Sequence, residues 1–250
     1  VGLKSRRGTP LLPADDIPVA ERLGALTPRP RSTGVRRTLL LVGATLLAAV
    51  GALQLPVVRD WLAPRLAPGP VAGLDARPSA DGRLLGHFPY PEAQPDSLVS
   101  VEPGLELHRD AAEALTAMLR AAERDGVSLA LLSAFRSREL QKEIFFGVKA
   151  ERNQNARERA EVSAPPGFSE HSTGYAVDLG DARLPQTNLS PSFEETPGFQ
   201  WLQQNAARYH FTLSFPRDNA QGVSYEPWHW RFEGTAEALQ MFEPAQRLAR

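Results

Sequence analysis

Apolar positions along this chain fall into three regimes. The first is an unbroken run: no residue between Arg37 and Arg59 is charged, and Thr38 to Leu55 reads TLLLVGATLLAAVGALQL. A helix of that length crosses a hydrocarbon core about 30 Å thick. The second regime, Pro56 to Pro103, carries nine prolines. Such a stretch sustains neither a helix nor a central strand and reads as an extended spacer. Apolar residues return in Leu84-Leu-Gly-His-Phe-Pro-Tyr90, as a lead-in to a domain. The third regime alternates between two periods. Leu107, Ala111, Ala114, Leu115, Met118 and Ala122 fall at helical spacing, with Gly126 where a helix end favours glycine. Val127 to Phe135 reads as a buried strand, and a second helix follows Ser137, an N-cap residue, through Gln141 and Phe145. Thr196-Pro197 opens a further helix with Trp201, Leu202 and Ala206 on its inner face. Phe211 to Phe215 and the segment ending at Arg231 and Phe232 read as strands, and Thr235 to Phe242 as a terminal helix. Helices and strands mix without regular βαβ alternation, which predicts an α+β fold.

Charge changes the picture at the N-terminal end. The formal net charge is −1, which gives no electrostatic reason to expect nucleic acid, yet the first 37 residues are basic. Arg22, Arg29, Arg31, Arg36 and Arg37 precede the apolar run, and only Arg59 and Arg65 follow closely. The positive-inside rule then orients residues 1–37 as a cytoplasmic tail and 38–58 as a single transmembrane anchor. Residues 59–84 form the proline-rich linker, and 85–250 an extracytoplasmic domain. A cleaved signal peptide with Ala49-Val-Gly51 as processing site is the alternative, and a buried soluble helix is another. There is no cysteine, so any metal site rests on nitrogen and oxygen ligands.

Two segments carry candidate chemistry. In Ser169-Glu-His-Ser-Thr-Gly-Tyr-Ala-Val-Asp178, Gly174 permits a tight turn after His171, and Tyr175 to Leu179 alternates as a strand. Tyr175, Val177 and Leu179 then share one face, and Ala176 and Asp178 the other. The second segment is Glu226-Pro-Trp-His229. Residues three apart on a straight strand point to opposite faces, so Glu226 and His229 cooperate only if Pro227 bends the chain. His171, Asp178 and His229 supply the three protein ligands of a catalytic zinc site, and Glu226 a nearby base. Each segment also has a plain structural reading: a turn-capping histidine with a surface aspartate, and a tryptophan-rich core strand.

Together the segments are more specific. Ser169, His171, Gly174, Ala176 and Asp178, followed by Glu226-Pro-Trp-His229, resemble the signature of the VanY-like D-alanyl-D-alanine carboxypeptidases and the related L,D-carboxypeptidases of peptidoglycan. Ser133-Ala-Phe-Arg136-Ser is similar to that family's S-G-Y-R-S segment, with Gln141 following. The resemblance spans roughly residues 85 to 235. Ala134, Phe135, His210 and Ser214-Phe-Pro216 depart from the family pattern, and these departures are expected to alter the pocket wall.

The resemblance implies a small antiparallel central sheet flanked by helices. It also implies a zinc enzyme that removes the C-terminal D-alanine of peptidoglycan stem peptides, with Zn²⁺ on His171, Asp178 and His229 and Glu226 as general base. Arg136 would hold the substrate's free carboxylate, since a guanidinium presents paired donors at carboxylate spacing. Gln141 and Ser169 would add hydrogen bonds to substrate. Arg138 and the charge run Glu151 to Glu161 read as a solvated helix face and loop, and His87, His108 and His210 as structural. An endopeptidase of the same fold and a non-catalytic wall-binding module remain alternatives; D,D or L,D preference and oligomeric state are not encoded in these motifs.

Overall fold

The computed structural model describes residues 73–249. The predicted anchor at 38–58, the tail before it and most of the linker lie outside them. No helix of the described residues is long and apolar enough to cross a membrane.

Packing begins earlier than residue 85. Leu74 and Leu84 are buried with Phe145, Ala160 and Phe168 in a small apolar cluster. The proline-rich stretch then yields a strand that the sequence reading missed. β1 (Leu98–Glu102) pairs antiparallel with β2 (Leu105–His108) across Pro103-Gly104. The prolines at 95 and 103 flank β1 instead of interrupting it, which is where a strand tolerates them. Leu107 therefore enters the core from a strand, and the helix of that region, α1 (Arg109–Arg124), starts after it. Gly126, at φ +78°, follows the helix end.

β3 (Leu129–Ser133) leads through Ser137, whose side chain caps the Leu140 amide, into α2 (Arg138–Glu151). A short helix, α3 (Ala156–Ala160), follows behind an Asn155–Glu158 capping box. β4 (Ala176–Asp181), α4 (Pro197–Asn205), β5 (Phe211–Leu213), β6 (His229–Phe232) and α5 (Ala236–Leu248) complete the domain. α5 runs past the expected end at Phe242 and through Pro244, held by buried Phe242 and Ala245.

The central sheet is antiparallel with strand order β3-β4-β6-β5. Tyr175, Val177 and Leu179 join the main core with Leu115, Met118, Phe211 and Phe242, as the strand parity requires. Asp178 projects from the opposite face of β4, beside the methyl group of Ala176. An irregularity in the β3–β4 ladder between Leu131 and Ser133 sets Ser133 opposite Asp178. Just beyond β3 the Arg136 amide donates to the His171 carbonyl at 3.2 Å, which ties that segment beside His171.

Candidate active site

Asp178 lies directly opposite His229 in the β4–β6 register. His171 arrives from a short 3-10 turn, Glu170–Thr173, closed by Gly174 at φ +73°. A Cβ there would lie 3.0 Å from both the His108 nitrogen and a Leu98 methyl, so the turn needs glycine for conformation and for space.

The two histidines turn different nitrogens inward. His171 donates from Nδ1 to the Ala134 carbonyl at 2.7 Å, leaving Nε2 3.2 Å from Asp178 Oδ1. His229 is reversed: Nε2 donates to Glu170 Oε2 at 3.0 Å, and Nδ1 sits 3.1 Å from that same Asp178 oxygen. The three ligand atoms lie within 4.8 Å of one another. Ligands about 2.0–2.1 Å from a tetrahedral zinc ion are about 3.3 Å apart, so the set fits zinc by size. It also fits by chemistry, because an outer acceptor fixes the second nitrogen of each imidazole.

Glu226 reaches the same point by the bend that strand parity demanded. The His229 amide donates to the Glu226 carbonyl at 3.1 Å, closing a turn over Pro227 and Trp228. Glu226 Oε2 then stands 3.8 Å from His229 Nδ1. The two tryptophans divide the possible roles: Trp228 lines the cavity, and Trp230 packs in the core against Phe199.

Electrostatics sort these groups. Burial pushes the Glu226 carboxyl up, and with Asp178 nearby it reaches about 7 despite the opposing pull of His229 and Arg136. Burial, then the Arg136 charge, brings His171 down to about 4, so its ring is neutral. Burial works against protonation of His229, but hydrogen bonds to Asp178 and Glu170 overcome it and raise the group to about 10. Asp178 is held well below the carboxylate range by both histidines, against the effect of burial.

The cavity over this centre has a volume of about 470 Å³ and is lined by Arg136, Ser169, Glu226 and Trp228 besides His171, Asp178 and His229. Arg136 and Ser169 are thus brought to the site. Gln141 is not: it is buried beneath the wall, and its amide donates to the Ala164 carbonyl at 2.7 Å and to Ser163 Oγ. Those two residues line the cavity, so Gln141 shapes it from behind.

Two residues with evident roles escaped the sequence reading. Glu170, next to His171, is buried and accepts four hydrogen bonds, from His229, Ser214 Oγ (2.6 Å), Arg231 (2.9 Å) and Tyr90 (3.3 Å). Its only sequence signal was adjacency to a ligand. Arg159 belongs to the charge run read as solvated. The capping box fixes the start of α3 so that Arg159 and Ala160 face inward, and Arg159 reaches the cavity wall. His87 is also buried on that wall, with Nε2 bonded to the Ala160 carbonyl at 2.7 Å.

Known proteins share this architecture. A putative carboxypeptidase, YodJ, of Bacillus subtilis (strain 168) is 35% identical over 149 residues, covering 58% of this chain and 54% of that protein. The chain spans about half the length of two of the curated relatives it matches. Among solved structures, the LdcB LD-carboxypeptidase superposes with a TM-score of 0.54 at 29% identity, covering 70% of this chain and 87% of that one. A mutant of the D,D-pentapeptidase VanY from a VanB-type resistance cassette, in complex with Zn(II), gives 0.51 at 26% identity, with 65% and 94% covered. The family model for VanY, D-alanyl-D-alanine carboxypeptidase, matches residues 104–235, more than half of the sequence, and the chain belongs to that family.

Proposed function

We propose that this protein is a membrane-anchored zinc carboxypeptidase that removes the C-terminal D-alanine from peptidoglycan stem peptides. The observation that carries the reading is the convergence of His171 Nε2, Asp178 Oδ1 and His229 Nδ1 beside Glu226, in one cavity with Arg136. A zinc ion bound there supplies Lewis acidity toward the scissile carbonyl and toward water.

The remaining work falls to the chain's own groups. Glu226 takes a proton from the attacking water as the C–O bond forms, and gives it to the departing amine as the C–N bond breaks. A carboxyl group near 7 is suited to both halves of that exchange at neutral pH. Arg136 receives the terminal carboxylate and sets the depth at which the peptide stops. Trp228 and Phe215 shield the reacting bond from bulk water on the wall beside His229. The anchor at 38–58 would hold this chemistry outside the cytoplasmic membrane, where its substrate is.

Defined tetrapeptide and pentapeptide muropeptides, incubated with the protein with and without a chelator and followed by mass spectrometry, test the reading. Loss of a single alanine that the chelator abolishes is expected. Retention of every peptide intact would overturn it. Peptides with an amidated C-terminus should resist cleavage, and ready cleavage would favour an endopeptidase.

A further inference from the structure

The cavity holds more positive charge than the proposed chemistry uses. Arg159, at the end of α3, lies on the wall and is 6% exposed. Its Nε is buried without a hydrogen-bond partner, and among the described residues no carboxylate forms an ion pair with its guanidinium. The fold does not require that charge. The capping box starts α3, and Ala160 anchors it in the apolar cluster with Leu84 and Phe145. A neutral side chain would occupy the position without the desolvation penalty of a buried cation.

The carboxylates facing the same cavity are already engaged. Asp178 stands within 3.2 Å of both histidines, Glu170 accepts from His229, Ser214 and Arg231, and Glu226 stands beside His229. Arg136 is assigned to the terminal carboxylate. Arg152, exposed at the rim, adds a third guanidinium. A guanidinium held out of water and unpaired inside a binding cavity is completed by an anion from the ligand. The departing D-alanine carries one carboxylate and a methyl group, so a second anion must lie on the acyl side of the scissile bond.

We propose that Arg159, with Arg152 at the rim, forms a second anion subsite that selects stem peptides bearing another free carboxylate N-terminal to the scissile bond. This rests on the carboxypeptidase reading of the cavity. Two groups offer that chemistry: the side-chain carboxylate of a diamino dicarboxylic acid residue, and the α-carboxylate of a γ-linked D-glutamate.

Four synthetic stem peptides separate these sources: both carboxylates free, each amidated singly, and both amidated. With the zinc-loaded full chain, amidating the carboxylate that Arg159 receives should lower kcat/KM at least about tenfold, chiefly through KM. The single amidation that does so identifies the source. In Arg159→Gln the discrimination should shrink to within about twofold, and Arg159→Lys should keep part of it. Calorimetric binding of the cleaved peptides to the metal-free chain should follow the same order. Equal kcat/KM for all four peptides would overturn the subsite and leave the carboxypeptidase reading standing. Cleavage of none of them would overturn that reading and the subsite with it. Wild-type discrimination that survives in both Arg159→Gln and Arg152→Gln would overturn the assignment to these arginines. If Arg159→Gln does not fold, the wild-type comparison and Arg152→Gln still decide.

Discussion

Glu170 is buried behind His229, supplies none of the three atoms that face the proposed metal, and yet should control both zinc affinity and stability. Its carboxylate orients His229 by accepting from Nε2 at 3.0 Å, and the same side chain neutralises buried Arg231 at 2.9 Å. Glu170→Gln keeps the size but offers one acceptor oxygen in place of two. Whichever way the amide turns, an N–H faces either Arg231 or the pair His229 and Ser214, and one donor loses its acceptor. Without a carboxylate behind it, the His229 ring is a weaker base at Nδ1. Outer partners of this kind control metal affinity by about 10–100-fold, equivalent to about 1.4–2.7 kcal/mol. Glu170→Ala removes all four bonds and leaves buried Arg231 with Glu233 as its one remaining carboxylate, for which a destabilisation of about 3 kcal/mol, the low end for a broken buried pair, is expected. The melting temperature should then fall by roughly 2–4 °C per kcal/mol in a domain of this size. Competition with a zinc chelator measures affinity, and thermal unfolding of the metal-free protein measures stability. A folded Glu170→Gln whose zinc affinity is within about twofold of wild type would refute the orienting role, whatever its melting temperature.

Three further outcomes follow from the site. Glu226→Ala should retain zinc and lose about 10²–10⁴-fold in turnover, the usual span of general acid–base catalysis; substantial remaining activity would reject it as the base. His229 carries a proton at neutral pH in the metal-free protein, because Asp178 and Glu170 raise it to about 10 against burial. Zinc must displace that proton, so uptake at about pH 8 should release about one proton, and affinity should weaken as pH falls below about 10. Calorimetry in buffers of different ionisation enthalpy counts the protons, and release of less than about 0.3 would contradict the sign. Gly174→Ala forces a left-handed alanine against the His108 backbone, with an expected loss of about 1–2 kcal/mol in stability, read by denaturant unfolding.

The legible parts of the chain were those where a local rule reached the answer. Strand parity separated Val177 and Leu179 from Asp178, and spacing showed that Glu226 and His229 needed a bend at Pro227, which the turn supplies. Ser137 and Thr196 announced helix starts by capping chemistry. What escaped depended on partners distant in sequence. β1 is short and bounded by prolines, and only its pairing with β2 makes it a strand. Glu170 gains its role from residues 44 to 80 positions away. Arg159 sits in a charge-rich stretch, where composition argues for solvent and only the orientation of α3 turns it inward.

The register that sets Asp178 opposite His229 would also make zinc a clock for assembly. His171 and Asp178 are 7 residues apart, but His229 is 51 residues from Asp178 and arrives only when β6 docks on β4. A chain that has formed its helices and the 3-10 turn still offers two ligands of the three. High-affinity capture of the ion would therefore wait on the non-local strand pairing, the slow class of folding event. Metal uptake in a refolding experiment would report closure of the sheet, and the ion would lock in the step that completes the domain.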